Sequence, residues 1–389
     1  MDIHKLRSET PGCRNVIHFN NAGASLMPRP VVEATISYLR EEAEWGGYET
    51  AQKYRNELEE SYPVIADFIN AEAEEIAILE NATAAWHMAF HGLDFEAGDR
   101  ILTSEAEYAS NYISYLKLRK NKGVSVEVIP SRESGETSVR ALEKMMDEKV
   151  KLISITHIPT NGGLVNPVEE IGRIAADHPC LYLVDACQSV GHYPMDVQEI
   201  GCDMLSATGR KYLRGPRGTG FLYVRNETLP RLEPPFLDLY SAEWTGRDQY
   251  RMREDARRFE NWESNYAGIM GLKTAVRYAG EIGINNIWNR IVEVAGELRR
   301  RLSSLPFARV HDIGSVRGGI VTFTVEGLSA SSIKSKLSKR DINVSVSTKS
   351  STLIDMEERG LEELVRASVH YYNTSEEIDT FIGALQDIS

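Results

Sequence analysis

Short apolar runs separated by helical periodicity set the pattern over the first two thirds of the chain. Such runs lie at Ile76–Leu79, 100–103, 124–130, 151–157, 181–184, 204–207 and Gly220–Val224. Residues 84–93 have helical composition, a helix opens near Pro167, and an amphipathic helix begins near Pro30, behind the small residues of FNNAGASLMPRP. Strand and helix in alternation predict a doubly wound α/β domain with a mostly parallel sheet. The loop from Lys211 to Gly220 is too short for a parallel crossover, so the strands on either side of it are expected to be antiparallel or not adjacent.

From about residue 268 the pattern changes. Ile291, Ala295, Leu298, Leu302 and Leu305 mark one helix face. Val321, Phe323 and Val325 then alternate with Thr322 and Thr324, and Val365, Ala367 and Val369 alternate with Arg366, Ser368 and His370, as half-buried strands do. Ile342, Val344 and Val346 show the same period. The last helix opens on Thr374 to Glu377, a capping-box sequence, with Ile378, Phe381, Ile382 and Leu385 on one face. This predicts a smaller α+β C-terminal domain: residues 19–267 form the large domain and 268–389 the small one, with residues 1–18 expected to pack on it.

Polar groups gather where two of the apolar runs end. The run at 181–184 delivers Asp185 and Gln188, and the run at 204–207 delivers Thr208, Arg210 and Lys211. Ligands of open α/β sheets sit beyond the carboxyl ends of the strands, so an acid and a lysine at two such ends can face one molecule. A lysine that forms a Schiff base and a carboxylate beside a pyridine nitrogen are what pyridoxal phosphate (PLP) requires. Residue by residue, a capping Asp and a solvated loop Lys are the commoner explanation of such a pair. Glu80 to Thr83 turn a strand into a helix through small and hydroxyl residues, and the free amides there suit a phosphate. Ala82 and Thr83 are the candidates for it. The GPRGTG segment lacks the order of a dinucleotide fingerprint and opens no helix.

Composition narrows the partners. A chain of 389 residues with 42% hydrophobic content can bury a large core, and a net charge of -13 opposes nonspecific binding to nucleic acid or anionic membranes. Cys13, Cys180, Cys187 and Cys202 form neither a CxxC pair nor a metal-ligand spacing, which predicts no metal site, no disulfide framework and a reducing cytoplasm. The polar N-terminus has no apolar signal core, and no run is long enough to span a bilayer.

The combined motifs resemble the class V aminotransferase family of fold-type I PLP enzymes, which includes cysteine desulfurases, kynureninase, isopenicillin N epimerase and ergothioneine-pathway C–S lyases. The likeness rests on the DACQ and TGRK segments, on SEAEYASN where desulfurases have Glu-His-His-Ala-Asn, and on VRASVHYYNT near the C-terminus. It covers nearly the whole chain and implies the PLP-dependent transferase fold, a homodimer and an amino-acid substrate. By that resemblance Lys211 holds PLP and acts as base, Asp185 keeps the ring nitrogen protonated and Tyr108 stacks on the ring. Gln188 orients the phenolic oxygen or Lys211, and Ala82, Thr83, Thr208 and Arg210 serve the phosphate. Arg366 grips the substrate carboxylate, while Asn21, Ala22, Gly23 and Thr160 line the substrate side. Trp262 and Glu263 replace the Gly and Thr of a segment that in relatives reaches the partner's phosphate.

The resemblance implies a reaction at Cα, with a β-eliminating C–S lyase of a cysteine derivative as the first reading. An aminotransferase or epimerase is the alternative, and a noncatalytic nucleotide-binding protein is the reading of another class. In the desulfurase branch a mobile cysteine precedes the Arg-Ala-Ser strand, and here no cysteine follows Cys202. A persulfide-forming desulfurase is therefore not expected.

Overall fold

The computed structural model describes residues 1–388. Seven strands make the main sheet: β1 (Ile76–Leu79), β2 (Arg100–Ser104), β3 (Ser125–Ile129), β4 (Val150–Thr156), β5 (Leu181–Asp185), β6 (Met204–Thr208) and β7 (Gly220–Val224). Their order is β1-β7-β6-β5-β4-β2-β3. All pairs are parallel except those of β7, which runs antiparallel to both β1 and β6. Every residue of β5, β6 and β7 is buried, which explains why these runs carry no alternation.

Helices α1 (Arg29–Trp45), α2 (Ala82–His91), α3 (Ala109–Lys122), α4 (Val168–Ala176) and α5 (Tyr266–Ile282) belong with this sheet. Residue 268, the expected domain boundary, falls inside α5, which packs on α1 and on the helix Ser61–Ile69. Helix α6 (Ile284–Ser303) follows after Gly283 alone, whose φ of 87° suits a residue without a side chain.

The smaller sheet has strands β8 (Ala308–Val310), β9 (Ile320–Val325), β10 (Ser345–Thr348) and β11 (Glu363–Ser368), ordered β8-β9-β11-β10 and antiparallel throughout. Helix α6 and the last helix, α7 (Ser375–Ile388), cover it through Ile291, Leu298, Ile378 and Phe381. At the start of α7 the Thr374 amide donates to Glu377 (3.2 Å) and the Glu377 amide donates to the Thr374 hydroxyl (3.3 Å), which completes the capping box.

One expectation needs correcting. Most polar members of the alternating strands do not face water: Thr322, Ser368 and His370 are all 0% exposed, and Thr324 is half-buried. The N-terminal segment and the large unit cover that face. Ile17–His18 pairs in parallel with Ile342–Asn343, Asn20 bridges to Ser368, and Arg7 donates to Glu377 (2.8 Å) and to the Tyr372 carbonyl (2.7 Å).

Candidate active site

The carboxyl ends of β1, β4, β5 and β6 open into a cavity of about 470 Å³, a size suited to a small molecule. Thr83, Tyr108, Asn111, Asp185, Gln188 and Lys211 line it, from four different connections. The start of α2 lies against β7 because Gly220 has no side chain: a Cβ there would stand 2.6 Å from the Ala207 carbonyl and 2.8 Å from the Asn81 backbone.

Asp185 ends β5 at the cavity floor and is 5% exposed. Its Oδ1 accepts from the Cys187 amide (2.9 Å) and its Oδ2 from Asn111 Nδ2 (3.0 Å). These two neutral donors fix its orientation. Asn111 also donates to Glu107 (2.8 Å), a carboxylate buried behind it. Desulfurase-type Glu and Asn positions in SEAEYASN fall on these two residues, a signal that sequence reasoning passed over in favour of Tyr108. That tyrosine is 37% exposed and lines the cavity at the start of α3.

Lys211 lies in the loop after β6, reaches the cavity and is enclosed by protein elsewhere. Burial lowers its pKa from the ordinary value; Cys187 and Asp185 oppose that shift and Arg210 adds to it. Arg214 clamps the loop. It is 1% exposed and donates to the Leu26 carbonyl (2.7 Å), to Thr10 (2.6 Å) and to the Tyr371 hydroxyl. Arg210 donates to the Gly23 carbonyl. Cys187 also lines the cavity, and burial raises its thiol pKa.

At the other end Asn81 caps α2 by accepting from the Ala84 amide (2.9 Å). The Ala82 and Thr83 amides have no partner within the helix and stand at the cavity. Thr208 lines it too and donates to the Thr219 carbonyl (3.3 Å). Arg217 joins this wall, a cation that no motif had singled out.

The substrate-side candidates divide. Thr160 lines the cavity and accepts from Arg366 Nη1 (2.6 Å), so Arg366 sits one side chain behind the wall. Its guanidinium has no carboxylate partner, its Nε has no hydrogen bond, and burial pulls its pKa down to about 10. Gln188 Nε2 donates to the Ala22 carbonyl (3.2 Å) while its Oε1 is buried and unpartnered. Asn21, Ala22 and Gly23 are not on the cavity wall. Asn21 is wholly buried, donating to the Ser368 carbonyl (2.8 Å), and Ala22 and Gly23 act through their carbonyls on Gln188 and Arg210. A hydrogen-bonded turn hidden behind two other residues leaves no local sequence signal. Arg258 and Glu260 are likewise buried, Arg258 donating to the Leu229 carbonyl (3.2 Å) and Glu260 accepting from the Ile78 amide (2.7 Å).

This donor set fits PLP. An oriented buried carboxylate suits a protonated ring nitrogen, a desolvated lysine an aldehyde, and free helix-start amides a phosphate. The orphaned Gln188 Oε1 and Arg366 Nε are buried polar atoms that a polar ligand would satisfy.

Comparison with known proteins agrees. The family model described as aminotransferase class-V matches residues 17–381. A probable cysteine desulfurase of Pyrococcus abyssi is 32% identical over 98% of this chain and 96% of its own length. Another probable cysteine desulfurase, of Methanothermobacter thermautotrophicus, is 33% identical over 100% of this chain and 98% of its own. The apo structure of cysteine desulfurase from Thermococcus onnurineus NA1 superposes with a TM-score of 0.92 at 31% identity, covering 99% of this chain and 97% of that one.

Proposed function

The chain belongs to the class V aminotransferase family, and on that footing we propose that it is a PLP-dependent enzyme cleaving the carbon–sulfur bond of cysteine or a cysteine derivative. The observation that carries this reading is the meeting of Asp185 and Lys211 in one cavity with the free amides of α2. PLP, when bound, supplies a conjugated ring that draws electrons from the substrate's Cα.

The chain's own groups do the rest. Asp185 holds a proton at the ring nitrogen. Lys211 Nζ, whose lowered pKa leaves more of it neutral, takes the proton from Cα. As the Cα–H pair becomes the Cα–Cβ double bond, the Cβ–S bond breaks and its electrons leave with sulfur, which is then protonated. The Tyr108 hydroxyl, on the cavity wall, is our candidate donor. Hydrolysis of the released enamine gives pyruvate and ammonia. Thr160 on the wall, with the Arg366 charge directly behind it, anchors the carboxylate.

The acceptor thiol decides between elimination and persulfide formation. The segment before β11 runs through Ser345–Thr348 and Lys349–Ser351 without a cysteine. Cys187, the cavity cysteine, is held at the end of β5 with its thiol pKa raised by burial, unlike a mobile thiolate. We therefore expect the purified enzyme to release pyruvate from a cysteine S-conjugate or sulfoxide. Alanine with a protein-bound persulfide from cysteine would overturn elimination, and a keto acid with accumulating pyridoxamine phosphate would favour the aminotransferase reading.

Arg366→Ala tests the carboxylate site. Losing a charge-assisted contact of about 1.5–3 kcal/mol should raise KM for amino acids roughly 10- to 100-fold with PLP content unchanged. Simple amines should react as before; PLP loss with unfolding would assign Arg366 a structural role.

A cytoplasmic homodimer completes the proposal. Its support is four free cysteines and an exposed apolar segment in which Trp244 is 81%, Leu239 71% and Trp262 46% exposed. Among the described residues no helix is long and apolar enough to cross a membrane.

A further inference from the structure

Behind Asp185 lies a second carboxylate that the reaction does not use. Glu107 is 3% exposed and every hydrogen bond it accepts comes from a neutral donor. Its Oε1 accepts from the Thr156 hydroxyl (2.6 Å), Asn111 Nδ2 (2.8 Å) and the Tyr108 amide (3.1 Å), and its Oε2 from the Thr103 hydroxyl (2.9 Å) and the Thr156 amide (3.2 Å). Three of the five are N–H groups, which cannot turn to accept a proton, so the nest is shaped for an ionised carboxylate. Burying such a group with no cation beside it is costly and needs a reason.

The Asn111 amide supplies one. Its NH₂ group donates to Glu107 and also to Asp185 Oδ2 (3.0 Å), one N–H for each carboxylate. Turned over, the amide would set its oxygen between two anions, so Glu107 fixes which way Asn111 points. The residue with its two partners forms a relay from β2 and β4 to the end of β5.

We propose that Glu107 is a positioning residue for Asp185: through Asn111 it holds the Asp185 carboxylate in place at the cavity floor, and its charge adds to the field that keeps a proton on the cofactor's ring nitrogen. This rests on the PLP reading above. Other titratable groups nearby are Asp185 itself, with Lys211 beyond it, and the Tyr115 hydroxyl, which donates to Ser154 (2.8 Å). Burial, with a smaller contribution from Asp185, raises the Glu107 pKa to about 7. The added negative charge therefore grows as pH rises through neutrality.

The test loads the whole protein with PLP carrying ¹⁵N in the ring and follows that nitrogen's chemical shift against pH. In Glu107→Gln, PLP should still be fixed to Lys211 by borohydride, while the ring nitrogen loses its proton at least about one pH unit lower, a tenfold change in proton affinity. Glu107→Asp, which keeps the charge, should recover part of that shift. A Glu107→Gln titration that coincides with wild type overturns the proposal while leaving the PLP reading intact; a wild-type protein that takes up no PLP overturns both. Should Glu107→Gln fail to fold, Asn111→Ala leaves the other four donors to Glu107 in place, and a wild-type titration there overturns the positioning through Asn111.

Discussion

Lys211→Ala should lower kcat/KM by at least about 10³-fold, because it removes both the covalent anchor and the base at Cα. Borohydride added to wild-type protein should bleach its yellow colour and leave the reduced PLP adduct on Lys211 by mass spectrometry; the variant should carry none. An adduct on another lysine would move the assignment. Stability offers an independent check on the PLP-free protein. Burial sets the folded-state pKa of Lys211 below the 10.5 of an ordinary lysine, so the unfolded chain binds that proton more tightly. The resulting penalty on the fold is complete below the depressed pKa and disappears as pH rises towards 10.5. The alanine variant should therefore melt at or above wild type at neutral pH, with the difference shrinking in alkali.

Asp185→Asn should keep PLP on Lys211 and lose about 10²- to 10³-fold in turnover, since an amide cannot hold the ring-nitrogen proton by charge. The geometry adds a second effect. An Asn there can still accept from the Cys187 amide with its oxygen, but its NH₂ would then face the NH₂ of Asn111, now 3.0 Å from Asp185 Oδ2. One amide must turn, and either rotation breaks a buried hydrogen bond worth about 1 kcal/mol. Near-normal turnover with PLP bound would show that Asp185 is not the partner of the ring nitrogen.

Much of the site was legible because its chemistry follows directly on strand ends. Asp185 closes β5, and Lys211 comes three residues beyond the last residue of β6, so apolar runs and their polar terminators located both. Loop length alone limited β7 to an antiparallel or a non-adjacent place, of which the sheet takes the first, and the capping box of α7 followed from four consecutive residues. These features depend on neighbours in sequence, which is the range over which periodicity and propensity carry information.

The rest was decided by packing between distant segments. Alternation along β9 and β11 correctly separated two faces but could not say that the polar one is covered; Thr322 and Ser368 are buried because residues 17–24 and the large unit close over them. The same closure takes Asn21 off the cavity and leaves the neighbouring carbonyls of Ala22 and Gly23 to hold Gln188 and Arg210. It also sets Arg366 behind Thr160. The link from Glu107 through Asn111 to Asp185 joins α3 to β5 across 74 positions of sequence. Element type and the burial of apolar surface were written in local pattern, whereas which polar groups lose water together depends on which surfaces meet, and only the folded chain brings those surfaces into contact.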